Sequence, residues 1–374
     1  MSDQFYLSLG GGKNQMPLIE AAQKFGLKII TVDRNPLAPG FASSNLRIEE
    51  SITNYRKIFY KLNTLMLDGE IVGGYCASFG AALLSFSYLS EKLNILGLPR
   101  PVMERLLDKY EVRKKISSEL HTFYQPVYMP GKRRILKKEF DQLRFPAIIK
   151  PRSGWGKKNI VEIHNKFDFK FFMRRENLNS RRISPESLII EEKIEGDEIT
   201  VVGFVQNFRF ILICITDKIT SGEAPFIELE HRFPSRHLEW SSKITDAHQE
   251  IVQHMQINDS PIVSEWKIHN GKLFLIEISA QIPGEYLANY LIPKAMGYDY
   301  FKSLVKITLG QPIELLPSLS KSRPCIIKYI VQKPNDAEYN HIKGNSDMLQ
   351  ILNEQPLFPP ESNHDRYAVS AYLG

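Results

Sequence analysis

The sequence contains little cysteine, little net charge and no long apolar run. Its three cysteines, Cys76, Cys214 and Cys325, are widely spaced and fit neither a disulfide framework nor a zinc site. Lys and Arg number 48 and Asp and Glu number 42, and a formal charge of +6 over 374 residues does not indicate a nucleic-acid-binding protein. Apolar runs such as Phe210 to Ile215 are too short to cross a bilayer, and the first residues lack the pattern of a secretory signal. These shortages predict a cytoplasmic protein that has neither a nucleic-acid nor a membrane partner.

The remaining composition is that of a globular protein, with 43% hydrophobic, 24% charged and 11% aromatic residues. At roughly 150 residues per domain, this length predicts two or three domains. A Gly- and Pro-rich stretch at 97–101 and a Pro-rich tail give the boundaries. We therefore predict domains at 1–98, 99–310 and 311–374, with the middle one divided into subdomains at about 120–195 and 196–310.

The first domain alternates short buried strands with helical patterns, which is typical of α/β folds with a parallel sheet. Strands are predicted at Phe5–Leu9, Leu27–Val32 and Ile71–Cys76, and helices at Leu18–Phe25 and Ala81–Leu93. The rest of the chain favours an α+β arrangement. A helix-like stretch covers Val102–Leu120, helical patterns lie near 166–175 and 246–256, and strands are predicted at 147–150, 159–163, 187–191, 199–205, 208–215, 262–268, 272–279 and 325–331.

A glycine turn, Gly10–Gly12, follows the first strand and precedes a helix, a layout that can receive an anion. Asp33 ends the second strand, where a dinucleotide-binding fold places its ribose acid. The third glycine of that fingerprint would fall on Gln15, so the pattern favours a turn that binds no dinucleotide. The turn can still receive part of another ligand, and Gly11, Gly12 and Asp33 are candidate substrate residues.

The stretch 147–163 places a basic glycine loop, 152–158, between two strands, the first of which ends at Lys150. Such a loop can fold over a polyphosphate and offer both N–H donors and Lys charge, although many hairpins also have Gly and Lys in their turns. Farther on, the strand 187–191 continues as Glu-Glu-Lys-Ile and could present its backbone to an adenine edge. Glu198 could then accept hydrogen bonds from ribose; the alternative is an exposed acidic turn.

Two glutamates lie in a predicted hairpin around Asn270-Gly271. A two-residue loop would put Glu265 opposite Ile276 and send Glu277 to the other face. A three-residue loop, 269–271, pairs Glu265 with Leu275 and leaves Glu277 diagonal to it on the same face. We favour the second register because it gathers one apolar face: Ile262, Trp266, Ile268, Phe274, Ile276 and Ile278.

Neighbouring carboxylates repel unless a cation joins them, and beside a triphosphate Mg²⁺ is the natural bridge. The alternative is a solvated sheet face on which both glutamates lie near Lys267.

In this order and spacing the segments resemble the ATP-grasp superfamily over roughly residues 1–310, and Thr216–His237 resembles its amino-acid ligase and carbamoyl phosphate synthetase-like branch. The resemblance implies an ATP-grasp fold behind a Rossmann-like pre-ATP-grasp domain. It also implies a ligase dependent on ATP and Mg²⁺ that forms an acyl phosphate, with a small carboxylate and an amine as partners and a homodimer as a candidate assembly.

The resemblance further implies residue roles. Lys109, Lys150 and the loop with Ser153, Gly154, Gly156 and Lys157 would contact the phosphates. Glu191, Glu192 and Ile194 would lie at the adenine and Glu198 at the ribose, while Glu265, Glu277 and Ser279 would hold Mg²⁺. The candidate catalytic residues are Lys150, Arg232 and Gln281.

Two residues depart from the family pattern, which reads Asn and then Arg after the second metal glutamate. This chain has Ser279 and Gln281 there. Ser279 keeps an oxygen, whereas Gln281 lacks the cation, for which Arg232, Arg236 or Lys157 could compensate. The departures leave open an ATP-binding homologue without ligase activity. A second alternative, a dinucleotide-dependent oxidoreductase, rests on Gly10–Gly12 and Asp33.

Overall fold

The first sheet is parallel and has the strand order β3-β2-β1-β4. The computed structural model describes residues 2–65, 68–116, 122–132, 141–174, 183–314 and 322–374. Strand β1 has five consecutive buried residues, as expected where helices cover both faces. The predicted Rossmann-like α/β sheet is confirmed. Its elements are β1 (Asp3–Leu9), α1 (Met16–Lys24), β2 (Lys28–Asp33), α2 (Pro39–Ala42), β3 (Leu46–Glu49), α3 (Tyr55–Thr64), β4 (Gly69–Cys76) and α4 (Ala81–Leu93).

The predicted helix-like stretch 102–120 forms two helices over its described part, α5 (Arg100–Leu106) and α6 (Lys109–Ile116). Asp108 causes the break, because its carboxylate accepts hydrogen bonds from the backbone N–H groups of Tyr110 and Glu111, as an N-cap does. Residues 117–120 lie outside the described ranges. The cap places Lys109 in the first turn of α6.

A small antiparallel sheet with strand order β5-β8-β6-β7 follows. It has its own apolar core, to which Ile149 and Phe169 belong. The predicted helix near 166–175 ends at Phe172, and residue 175 lies outside the described ranges. The elements are β5 (Tyr128–Pro130), β6 (Ala147–Pro151), β7 (Val161–Ile163), α7 (Lys166–Phe172) and β8 (Leu188–Glu192).

The large sheet is antiparallel, with strand order β13-β12-β9-β10-β11-β14-β16-β15. The tail after residue 311 adds three strands to it, two more than the sequence predicted. The elements are β9 (Asp197–Gln206), β10 (Arg209–Thr220), β11 (Glu228–Phe233), α8 (Ser241–Met255), β12 (Ser260–His269), β13 (Lys272–Ser279), α9 (Ile292–Met296), α10 (Tyr300–Thr308), β14 (Cys325–Ile330), α11 (Asp336–Asn345), β15 (Met348–Ile351) and β16 (Ala368–Leu373).

Trp266 on β12 orients the hairpin that carries the two glutamates. It is fully buried, packs edge-on against Phe123 at 5.2 Å between ring centroids, and donates from Nε1 to Ser264 Oγ at 2.7 Å. Successive side chains on a strand point to opposite faces, so burial of Trp266 turns Glu265 to the other face. Within the part of the chain that the structure describes, no helix is long and apolar enough to span a membrane.

Candidate functional site

The β12–β13 hairpin pairs Glu265 directly with Glu277. Its loop is the two-residue turn Asn270-Gly271, because His269 pairs with Lys272, so the predicted three-residue loop is wrong. The predicted apolar face is also wrong on β13, where Leu273 and Leu275 are buried in place of Phe274 and Ile276.

A β-bulge explains why the two glutamates are nevertheless neighbours. The register shifts between Glu265 and Trp266, so that Ile276 is the extra residue on β13. Without the bulge, the two-residue loop would have put Glu277 on the opposite face. The predicted juxtaposition of Glu265 and Glu277 therefore holds, but a bulge that the sequence pattern did not indicate produces it.

Lysines from two other segments contact these carboxylates. Lys109 Nζ lies 3.2 Å from Glu277 Oε1, and Lys157 Nζ lies 3.3 Å from Glu265 Oε2. Burial alone would raise the pKa of Glu265, but Lys157 and Lys218 hold it well below its usual value. The carboxylate is therefore charged at neutral pH, as a metal ligand must be.

Lys150, at the end of β6, belongs to a buried triad with Glu191 on β8 and Arg113 on α6. Lys150 Nζ lies 2.6 Å from Glu191 Oε2, and Arg113 Nε lies 2.7 Å from Glu191 Oε1. Burial alone would raise the pKa of Glu191, but Arg113 and Lys150 outweigh it and hold that pKa at about 2. Burial lowers the pKa of Lys150, and Glu191, which is shared with Arg113, offsets this only in part.

The glycine loop contacts several parts of the chain. Its first residue, Arg152, pairs with Asp108 at 2.6 Å, so this cation anchors the loop. Ser153 and Gly154 are exposed, and the Gly154 carbonyl accepts from Lys109 Nζ at 3.1 Å. Trp155 stacks on Phe79 from the first domain, with ring centroids 6.2 Å apart.

Gly156 meets the C-terminal segment. Its carbonyl accepts from the Asn363 N–H at 3.0 Å, and a Cβ at this position would lie 2.8 Å from His364 Nε2. Its φ of +70° is also one that L side chains rarely adopt. The next residue, Lys157, then reaches Glu265, so the compact turn at Gly156 brings the loop lysine to the hairpin.

Lys218 on β10 lies among three glutamates, and only 1% of its side chain is exposed. Its Nζ lies 2.6 Å from Glu228 and 3.3 Å from Glu198, and it also contacts Glu265. Burial alone would lower the pKa of Lys218, but the three carboxylates raise it well above its usual value. Glu198, the predicted ribose contact, therefore lies in the same charged cluster as Glu265.

Arg366, from the segment before β16, extends this cluster. Its guanidinium lies 2.7 Å from Glu285 and 3.9 Å from Glu228, over the Tyr329 ring. Burial, together with Glu228, raises the pKa of Glu285, while Arg366 opposes the rise. The C-terminal segment thus places the buried guanidinium of Arg366 beside Glu285 and Glu228.

Buried His231 on β11 gives a pH dependence of stability. Burial lowers its pKa to about 4, below the usual value of about 6.5, so the unfolded chain binds this proton more readily. This contribution to stability is fully present above about pH 6.5 and is lost toward pH 4. We expect His231→Gln to reduce the pH slope of the unfolding free energy by about one proton in this range. Denaturant titrations at several pH values would measure this slope. The exposed His341→Gln variant is the control and should keep the wild-type slope. An unchanged slope in His231→Gln would show that His231 does not cause the pH dependence.

Five further predicted residues lie in three places: at the end of the small sheet, after Glu277 on β13, and on β11. Glu192 accepts from the Val127 N–H at 3.0 Å, and Ile194, 9% exposed, follows it at the end of the small sheet. Ser279, two residues after Glu277, lies on the same face of β13, and Gln281 follows it. Arg232 stands apart: its side chain is 55% exposed and pairs with Glu230. It alternates with His231, whose register partner is Lys218, so Arg232 points to the opposite face of the sheet.

Gly11 and Asp33 contact each other at the carboxyl edge of the parallel sheet. The Gly11 N–H donates to Asp33 Oδ2 at 2.9 Å, and the Asn35 N–H donates to Oδ1 at 2.8 Å. The side chain of Gln15 lies against Gly12, where a Cβ would come within 2.9 Å of it. Asp33 thus stabilises the glycine turn itself.

Glu265 and Glu277 could bind Mg²⁺ only if another group, such as a phosphate, supplied further oxygen ligands. In the described ranges no set of three His, Cys, Asp or Glu residues is arranged to hold a metal ion. Glu265 and Glu277 supply one carboxylate each, and Mg²⁺ commonly binds one or two carboxylates plus substrate phosphates. The nearby lysines are suited to those same phosphates.

Three charged residues of the candidate site were not identified from the sequence: Arg113, Lys218 and Arg366. Arg113 lies four residues after Lys109, so the helical period would have placed both on one face of α6. Lys218 lies two residues after Thr216, which is buried, so both side chains point to the same face of the strand. Because a charged residue on a buried face is uncommon, this position could have indicated a functional site. For Arg366 we find no such signal, because its partners are 81 and 138 positions away.

The model of the family described as "ATP-grasp domain" matches residues 143–288. The chain carries an ATP-grasp domain. The match contains β6, the glycine loop, β8 and the β12–β13 hairpin, and so most of the charged groups described above.

Solved structures are similar over nearly the whole chain. The L-amino acid ligase of Bacillus licheniformis aligns with a TM-score of 0.76 at 16% identity, over 100% of this chain and 94% of that one. The N5-carboxyaminoimidazole synthetase of Staphylococcus aureus, complexed with ADP, gives 0.75 at 15% identity, over 99% and 93%. The phosphoribosylglycinamide synthetase of Anaerococcus prevotii gives 0.73 at 16% identity, over 99% and 94%. These similarities establish the ATP-grasp fold.

A curated relative matches over a shorter stretch. The D-alanine–D-alanine ligase of Petrotoga mobilis is 28% identical over 111 residues, 30% of this chain. The match spans about a third of that relative's length, 35%. The expected ATP-grasp domain and fold are confirmed, and the curated relative is a ligase.

Proposed function

We propose that this protein is an ATP- and Mg²⁺-dependent ligase that activates a small carboxylate, such as an amino acid, for attack by an amine. The observation that carries the proposal is that Lys109 pairs with Glu277 and Lys157 with Glu265 in an ATP-grasp fold, while Lys150, paired with Glu191, lies within the electrostatic influence of Glu277. Three phosphate-binding cations and two charged acids come from α6, β6, the loop and the hairpin.

The roles follow from the positions. Lys109, Lys150 and Lys157 would bind the phosphates under the glycine loop, with Ser153, Gly154 and Gly156 in its turn. Glu265, Glu277 and Ser279 would hold Mg²⁺, which supplies neutralisation of phosphate charge when bound. Lys109 and Lys157 now contact those same glutamates, so nucleotide binding would exchange these ion pairs.

The nucleoside would lie at the end of the small sheet. The Glu191 carboxylate is held by Arg113 and Lys150, so only its backbone is left for the adenine, with Glu192 and Ile194 beside it. Glu198 is the candidate for the ribose. The carboxylate substrate would approach from the edge formed by Gly11, Gly12 and Asp33.

The reaction has two steps. A carboxylate oxygen attacks the γ-phosphorus and ADP leaves; the amine nitrogen then attacks the acyl carbon, phosphate leaves and the amine loses a proton. The lysines contribute by positioning and by neutralising charge. Gln281 lacks the cation of the family pattern, and Arg232 faces away from the cluster.

A product assay tests the proposal. We expect one ADP and one phosphate per amide formed with a productive pair of acid and amine. Tight Mg²⁺-ATP binding without turnover for any pair would instead support a nucleotide-binding protein that has lost ligase activity, as Gln281 and Ser279 suggest. Tight NAD(P) binding that survives Lys150→Ala and Glu277→Ala would overturn the site altogether.

A further inference from the structure

The buried triad of Arg113, Glu191 and Lys150 contains two cations and one anion, which is one cation more than a neutral ion pair needs. All three side chains are nearly inaccessible, with exposures of 3%, 4% and 10%. Glu191 divides its two oxygens between the two cations, Oε1 to Arg113 and Oε2 to Lys150. Lys150 and Glu191 alone would already satisfy each other, and burying a further cation carries a desolvation cost.

The two cations differ in what else they can reach. Arg113 donates from Nη2 to the carbonyl of Ile276 at 2.6 Å, so its guanidinium is fixed between β8 and the bulge of β13. Lys150 lies on β6, next to the glycine loop, and the electrostatic influence of Glu277 also reaches it. Arg113 is thus fixed between two strands of the protein, whereas Lys150 lies next to the glycine loop that we propose binds the phosphates.

The charge balance gives the triad a function. Lys150 and Glu191 without Arg113 would be a neutral pair, with little attraction for a phosphate. Two cations and one anion leave one net positive charge, and salt screens buried charges only weakly. With Arg113 opposite one oxygen of Glu191, the charge of Lys150 is not cancelled by its own partner.

We propose that Arg113 is a positioning residue for nucleotide binding, which compensates the charge of Glu191 so that the triad as a whole keeps one net positive charge for a phosphate group. The inference rests on the proposed function, because it takes a nucleotide phosphate as the ligand of Lys150.

A charge cycle tests it, with the affinity for a non-hydrolysable ATP analogue and Mg²⁺ measured by calorimetry. Arg113→Gln makes the triad neutral and should weaken binding about tenfold or more. The double variant Arg113→Gln with Glu191→Gln restores one net positive charge and should recover to within about threefold of wild type. Arg113→Lys keeps the charge and should also bind within about threefold.

Lys115→Gln is the matched control, since it removes one charge from the exposed side of the same helix. It should bind like wild type. Thermal unfolding of every variant separates lost folding from lost binding, and Arg113→Lys keeps the test valid if Arg113→Gln does not fold.

Rescue distinguishes charge compensation from a purely structural role. If Arg113 only braced the fold, the double variant would bind no better than Arg113→Gln, and this result would overturn the inference. Loss of binding in folded Arg113→Lys would overturn it too. Wild-type protein that binds no analogue would instead overturn the proposed function.

Discussion

Glu277→Gln is expected to lower Mg²⁺-dependent ATP turnover by about 10²–10³-fold, measured with a productive substrate pair. The substitution keeps the shape of the side chain but removes the charge that pairs with Lys109 at 3.2 Å. About a third of the Glu277 side chain is exposed, 35%, so folding should be unaffected. The gain in affinity for an ATP analogue on adding Mg²⁺ should also largely disappear, which gives a readout that needs no substrate.

Glu195→Gln is the control for this prediction, because Glu195 is a largely exposed glutamate of the same chain that pairs with Lys193. It should retain wild-type turnover and the wild-type response to Mg²⁺. Turnover of Glu277→Gln within a few-fold of wild type would mean that the hairpin acids do not hold the ion.

Lys218→Met is expected to lower the free energy of unfolding by about 3–5 kcal/mol, because a buried cation is removed from buried acids. Glu198, Glu228 and Glu265 would lose the ammonium group that lies within 3.3 Å of all three. Denaturant titration would measure the loss. A double variant that also carries Glu228→Gln should recover part of it, since one uncompensated carboxylate is gone.

The pH dependence of this loss has a definite sign. Burial opposes ionisation of Glu228, but Lys218 holds its pKa at about 2, so its stabilising pairing is complete above the usual pKa of about 4.3. It is lost as the pH falls toward 2, and the difference between wild type and Lys218→Met should shrink over that range. Lys267→Met, 3.9 Å from Glu198, should cost less than about 1 kcal/mol. A similar cost for both variants would contradict the central place of Lys218.

The sequence predicted those parts of the fold that local patterns determine. Apolar runs gave most strands of both main sheets, but not β3, β11, β15 or β16, and the glycine turn at Gly10–Gly12 fell between β1 and α1 as expected. The hairpin was harder, because its pattern contains no sign of the bulge at Ile276. The register was therefore wrong, although Glu265 and Glu277 were rightly expected to be neighbours.

The partners of the charged side chains could not be predicted because they depend on long-range packing. Glu191 was expected at an adenine, yet its carboxylate lies between Lys150 and Arg113, which are 41 and 78 positions earlier. Arg366 reaches Glu228 only because β14 and β16 extend the large sheet beyond β11. Sequence spacing shows none of these approaches, which the order of strands in the sheets creates.

A crystal structure with Mg²⁺ and a non-hydrolysable ATP analogue tests the central claim most directly. We predict that the phosphates contact Lys109, Lys150 and Lys157 beneath the glycine loop, with the ion between them and both Glu265 and Glu277. A nucleotide bound at Gly10–Gly12, or an ion that touches neither glutamate, would contradict the account.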